Sequence, residues 1–175
     1  MSLDDIPKKV QYVLIDSNFV NGKGDWVVME ADEFDRSFLH LHPQLAVITS
    51  MDADHLDIYG DVATMHDSFN AFAEQVGEAL IHHASLPLKK SNRSSMQYIS
   101  YGVNEGQANA YNVEAKAPHY VFDWKQDDDV IDNIEFTLPG QHNVLNATAA
   151  IAVARRLGAS ATQIRTALLS FRGIK

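Results

Sequence analysis

The chain contains no cysteine. That absence removes disulfides, thiolate zinc sites and cysteine nucleophiles together. Positive charge is also scarce: 14 Lys and Arg stand against 23 Asp and Glu, a formal net charge of -9. A chain this acidic carries no electrostatic footprint for nucleic acid or an anionic membrane, so neither partner is expected. Its one basic cluster, Lys89-Lys90-Ser91-Asn92-Arg93, reads as a solvated loop. No apolar run approaches the length that spans a bilayer, and no signal peptide is legible, so the expected location is cytoplasmic. Internal repeats and low-complexity stretches are missing as well.

What is present is a length of 175 residues, enough for one domain with a proper core. Met1-Ser2-Leu3 reads as an expression scar, leaving 4–175 as the protein proper. The most informative feature is a pair of acidic segments, Glu30-Ala-Asp-Glu-Phe-Asp-Arg-Ser-Phe38 and Asp52-Ala-Asp-His-Leu-Asp-Ile-Tyr59. Each follows a short apolar run, residues 26–29 and 45–49, of the length and composition of a buried parallel strand. Open α/β sheets place ligands at the carboxyl ends of their strands. Carboxylates with one imidazole, His55, suit Mg²⁺ or Mn²⁺ better than zinc. The pattern reads as a metal–nucleotide site.

The rest of the chain divides by pattern. Residues 10–15 form a weak strand, followed by a loop built on Asn18, Asn21, Gly22 and Gly24. Asp61 is the expected N-cap of a helix whose inner face carries Val62, Met65, Phe69, Phe72, Ala73 and Val76, with Gly77 closing it. Residues 80–83 read as the next strand. This parallel part spans about 20–95. From about 96 to 138 the pattern turns short and alternating, with runs at 98–101, 108–113, 119–124 and 131–138. These are expected to form an antiparallel meander, with Asp127-Asp128-Asp129 as a solvated hairpin tip. Two helices are expected over about 141–172: one opens at Gln141-His142-Asn143 and stops at Gly158. The other is capped by Ser160 and turns Ile164, Ala167, Leu168 and Phe171 inward. The expected fold class is therefore α/β: a mostly parallel sheet flanked by helices, with a small antiparallel meander.

Three motifs, in this order, resemble the central ATPase domain of the Mur ligases, the ATP-dependent amide-forming enzymes of peptidoglycan assembly. They are Glu30-Ala-Asp-Glu33 with Ser37-Phe38-Leu39, then Asp54-His55-Leu56-Asp57, then Pro139-Gly-Gln-His-Asn143 with Asn146. The resemblance covers about residues 20–172 and is greatest to the branch that joins L-alanine to UDP-N-acetylmuramate. Sister ligases carry a carbamylated lysine where this chain has about Phe69, a departure shared with the alanine-adding branch. A second departure is the lack of the family's GxxGKT/S phosphate loop; Asn21-Gly22-Lys23-Gly24 precedes a strand run rather than linking strand to helix. The family's outer domains, for the UDP-sugar and the amino acid, have no counterpart here. The resemblance thus implies a partial central domain, inactive alone, which self-associates through uncovered strand edges.

For the parent it implies ATP-driven phosphorylation of the substrate carboxylate and attack of the amino acid on the acyl phosphate. Glu30 and His55 would be the metal-binding and catalytic residues. His142, Asn143 and Asn146 would contact the adenine, since side-chain amides donate and accept at once. On residue type alone Glu30 is an exposed loop acid, and His55 a satisfied histidine. Asn143 is equally well a helix cap. Ser37 receives no role, Phe38 reads as core, and His40 and His42 read as structural rather than as a zinc pair. Two further readings stay open: a sister ligase (muropeptide recycling or folylpolyglutamate synthase), and a non-catalytic domain that binds nucleotide or a partner.

Overall fold

The computed structural model describes residues 24–52, 56–91, 93–117 and 119–173. These fall into two compact units, one of residues 29–101 and one of residues 102–173 with the short stretch 24–28. The expected strand at 10–15 and the loop residues Asn18, Asn21 and Gly22 lie outside the described residues.

The first unit is built on parallel strands. β1 (Leu45–Ile48) pairs with β2 (Ala79–His83) from Leu45↔Ala79 to Ile48↔His82. β2 pairs in turn with β3 (Gln97–Val103), from Ala79↔Gln97 to His83↔Tyr101. Ala79, Leu80 and Ile81 are fully buried, as expected of a strand covered on both faces. Between β1 and β2 run a single helical turn, α1 (Leu56–Tyr59), and the longer α2 (Val62–Gln75). Asp61 caps α2 as its pattern requires, its carboxylate accepting from the Thr64 N–H at 2.7 Å, which holds that carboxyl below its usual range. Met65, Phe72, Ala73 and Val76 bury the inner face, while Val62 stays 42% exposed. Past the helix, Gly77 donates its N–H to the Pro43 carbonyl at 2.8 Å, and a Cβ there would stand 2.6 Å from the Gln44 amide oxygen. A side chain at this position would have to displace the Gln44 amide.

The second unit is an antiparallel meander of β4 (Ala108–Lys116), β5 (His119–Gln126) and β6 (Asp129–Phe136). Phe122 and Trp124 are completely buried, whereas Asp123 between them is bonded by the Asn112 side chain and the Asn133 backbone, both at 2.8 Å. The helices α3 (Gln141–Arg156) and α4 (Ala161–Ser170) follow. Gly158 ends α3 at φ 89°, and Ser160 forms a reciprocal cap with Gln163 at the start of α4. The class is α/β, a parallel part followed by an antiparallel meander.

Besides Val62, four expectations change. Residues 26–29 form no strand: Val27, Val28 and Met29 are 76%, 74% and 64% exposed, and no described strand pairs with them. An apolar run signals burial only when a neighbouring ladder covers it. Residues 98–101 belong to β3, which lies parallel to β2 rather than in the meander; residues 84–96 supply the long crossover that parallel pairing needs. Asp129 is not a bland tip residue, since Arg155 on α3 grips both its oxygens, at 2.6 and 2.8 Å. Ala167 faces outward on α4.

His82 gives the first unit a pH dependence. It is 8% exposed in β2, with Nδ1 3.0 Å from the His83 carbonyl oxygen, and burial lowers its pKa below the ordinary value. The folded state therefore holds it neutral, while the unfolded chain takes up the proton below about pH 6.5. Its contribution is complete above that pH and is lost as pH falls through the lowered native value. The denaturation midpoint should drop as pH falls below about 6.5, and more gently in His82→Phe. Parallel pH profiles for the two proteins would refute the assignment.

Candidate functional site

At the carboxyl end of β1 the chain turns through Ser50 and Asp52. The Ser50 hydroxyl donates to Asp52 Oδ2 at 2.6 Å and accepts from the Asp52 N–H at 2.9 Å, which orients that carboxylate. The first acidic segment holds itself in shape. Asp32 Oδ1 accepts from the Phe34 N–H at 2.9 Å, Asp35 Oδ1 accepts from the Ser37 N–H at 2.9 Å, and the Ser37 hydroxyl donates to the Asp32 carbonyl at 3.1 Å. The bonds from Ser37 keep the Asp35 carboxyl below its usual range. Ser37 thus has a structural duty that its motif alone did not reveal.

The segment ends in a short 3-10 turn, Ser37–His40, which drives Phe38 into the core at 2% exposure. Phe38 meets Phe69 and Phe72 of α2 with ring centroids 5.3 and 5.2 Å apart. A cleft of about 180 Å³ opens above them, lined by Glu33, Ser50, Asp52 and this aromatic trio. It brings one acidic residue from each acidic segment to the end of a parallel strand, over an apolar floor. Phe69, where sister ligases were expected to carry lysine, forms part of that floor.

Arg36 and Tyr59 were missed by the sequence reading. Tyr59, 3% exposed, donates its hydroxyl to the Glu33 carbonyl at 2.6 Å, and burial followed by the Glu33 charge raises its pKa. Arg36 donates from a terminal nitrogen to the Ile58 carbonyl at 3.2 Å and lies over the Tyr59 ring at 5.0 Å. It does so from a left-handed backbone, φ 62°, which costs a residue with a Cβ about 1 kcal/mol. Periodicity carries no trace of such contacts; an arginine among acids reads as solvated charge.

The expected site residues have separate fates. Glu30 is exposed on the run before the cleft, with no strand behind it, so it does not stand at the strand end that the pattern suggested. His55 lies outside the described residues. His142, Asn143 and Asn146 share the opening of α3 in the other unit. Asn143 is not the cap, a place taken by Gly140 at φ 99°. Its side-chain amide reaches back to the Pro139 carbonyl at 2.6 Å, while His142 and Asn146 remain exposed. A Cβ on Gly140 would stand 2.6 Å from the His142 ring, so the turn and the imidazole pack closely. His40 and His42 are both exposed.

Among the described residues no three His, Asp or Glu converge into a metal cage. A nucleotide-bound Mg²⁺ takes one or two protein carboxylates and fills its other positions from phosphate and water. The hard oxygen donors at the cleft fit that cation in kind. Among the described residues no helix is long and apolar enough to cross a membrane.

Residues 2–154 match the Mur ligase middle domain. UDP-N-acetylmuramate–L-alanine ligase of Christiangramia forsetii is 46% identical over 164 residues, covering 92% of this chain and 34% of the relative. The enzyme of that name from Flavobacterium psychrophilum is 44% identical over 162 residues, covering 91% of this chain and 34% of the relative. The chain thus spans about a third of the length of the curated relatives it matches. Among solved structures, UDP-N-acetylmuramate-alanine ligase MurC of Thermotoga maritima superposes with a TM-score of 0.73 at 26% identity, over 90% of this chain and 35% of that one.

The aromatic floor sets a stability test. Phe38→Ala should cost about 3 kcal/mol in urea denaturation, because it leaves a cavity against Phe69 and Phe72. A loss well under 1 kcal/mol would show that the trio does not anchor the acidic segment.

Proposed function

Because the chain belongs to the Mur ligase family, we propose that it forms the metal–nucleotide-handling portion of an ATP-dependent ligase that joins L-alanine to UDP-N-acetylmuramate in the cytoplasm. The observation that carries this reading is the cleft at the end of β1, lined by an acid from each of the two acidic motifs, Glu33 and Asp52. The named relatives support the alanine branch.

On this reading the γ-phosphorus to bridging-oxygen bond of ATP breaks, a carboxylate oxygen of the sugar acid bonds to phosphorus, and ADP leaves. The alanine amine then attacks the acyl carbon, phosphate departs with the carbon–oxygen electron pair, and the amine gives up its proton. Such phosphoryl transfer rests on positioning and charge neutralisation more than on covalent help from the protein. A bound Mg²⁺ would supply the positive charge between triphosphate and carboxylate. Glu30 and His55 are assigned to hold it. His142, Asn143 and Asn146 are assigned to the adenine, whose edge both donates and accepts. The phenylalanine floor keeps water from beneath the cleft, which favours transfer to the carboxylate over hydrolysis.

Calorimetric titration with Mg²⁺–ATP tests this, using this chain and a version extended N-terminally through the phosphate loop. The extended protein should bind, and Glu30→Ala and His55→Ala should each weaken binding on the order of tenfold or more. Asn143→Ala should weaken ATP but leave inorganic triphosphate unaffected. Wild-type affinity in both the Glu30 and His55 variants would remove them from the site.

A further inference from the structure

We propose that Arg36 and Tyr59 act as a latch that fixes Glu33 at the cleft, making both of them positioning residues of the site. The proposal rests on the metal–nucleotide reading of that cleft. Two hydrogen bonds cross between the same two segments in opposite senses. Tyr59 on α1 donates to the carbonyl of Glu33, and Arg36 on the acidic segment donates to the carbonyl of Ile58. The guanidinium lies over the phenol ring that makes the first bond, which ties the two contacts together. The residue whose backbone receives the tyrosine, Glu33, is the acid of the first segment that lines the cleft.

The backbone argues that the side chain, not the turn, is what this position supplies. Arg36 sits at φ 62°, where glycine is free of strain and asparagine or aspartate is tolerated. The turn itself is closed by a main-chain bond, Arg36 N–H to the Glu33 carbonyl at 3.1 Å, which glycine would keep. A residue that strains the backbone where glycine would relax it is held for its guanidinium. Lysine would preserve the charge but not the planar group with several donors that lies over Tyr59 and bonds Ile58.

Three variants separate latch from scaffold: Arg36→Gly, Arg36→Lys and Tyr59→Phe. In Arg36→Gly the melting midpoint should hold or rise, because the strain is relieved. Amide hydrogen exchange in residues 33–38 and at Ile58 and Tyr59 should nevertheless quicken at least tenfold, with β2 unchanged. In the N-terminally extended protein, Mg²⁺–ATP affinity should fall about tenfold in Arg36→Gly. Arg36→Lys should fail to restore it, and Tyr59→Phe, which keeps the ring but loses the hydroxyl, should lose less. Wild-type exchange and affinity in Arg36→Gly would overturn the latch. If the extended wild-type protein binds no Mg²⁺–ATP, the nucleotide reading fails, and the exchange pattern alone decides for or against the latch.

Discussion

The first unit depends on the burial of β2. Its backbone is paired in parallel on both sides, with β1 and with β3, and its side chains from Ala79 to Ile81 are sealed from solvent. A parallel ladder cannot be closed by a tight turn, so the chain must leave the sheet and return by a crossover. That requirement creates α2, and α2 carries Phe69 and Phe72 to the place where Phe38 can dock. The same ladder fixes where β1 stops, and therefore where Ser50 and Asp52 turn away from the sheet. The cleft is a by-product of that geometry, with an apolar base because α2 must be apolar towards the strands.

Much of this was legible in the residues. Asp61 followed by an apolar stripe at helical spacing specified α2 and its cap, and the alanine-rich run after Pro139-Gly140 specified α3. These signals are local, so sequence order suffices to read them. What failed was everything that depends on a distant partner. The run at 26–29 has strand composition but no described neighbour. The direction of β3 is set by its pairing with β2, which alternation cannot encode. Asp129 looked like one more acid in a solvated run because its partner Arg155 lies on a different element.

The site divides along the same line. The two acidic motifs were found by their residue types, and the structure places Glu33 and Asp52 at one cleft. Which acid of Glu30-Ala-Asp-Glu33 lines that cleft is decided by the turn, through hydrogen bonds from Phe34, Ser37 and Tyr59. Asn143 shows a related limit. Its place at the start of α3 was clear, but its bond back to Pro139 depends on Gly140 taking the cap with a positive φ.

The contrast between the two kinds of strand pairing also bears on the order in which the chain acquires its structure. In the meander, β5 and β6 meet across the two residues Asp127 and Asp128, and Gln126 already faces Asp129. In the parallel unit, Leu45 must find Ala79 with the whole of α2 between them. Closing the longer loop costs more entropy before any contact rewards it. The meander should therefore gain amide protection first in pulse-labelled refolding, with β1 and β2 following. The strand that organises the cleft is among the late arrivals, so the cleft takes shape only with the slowest piece of topology.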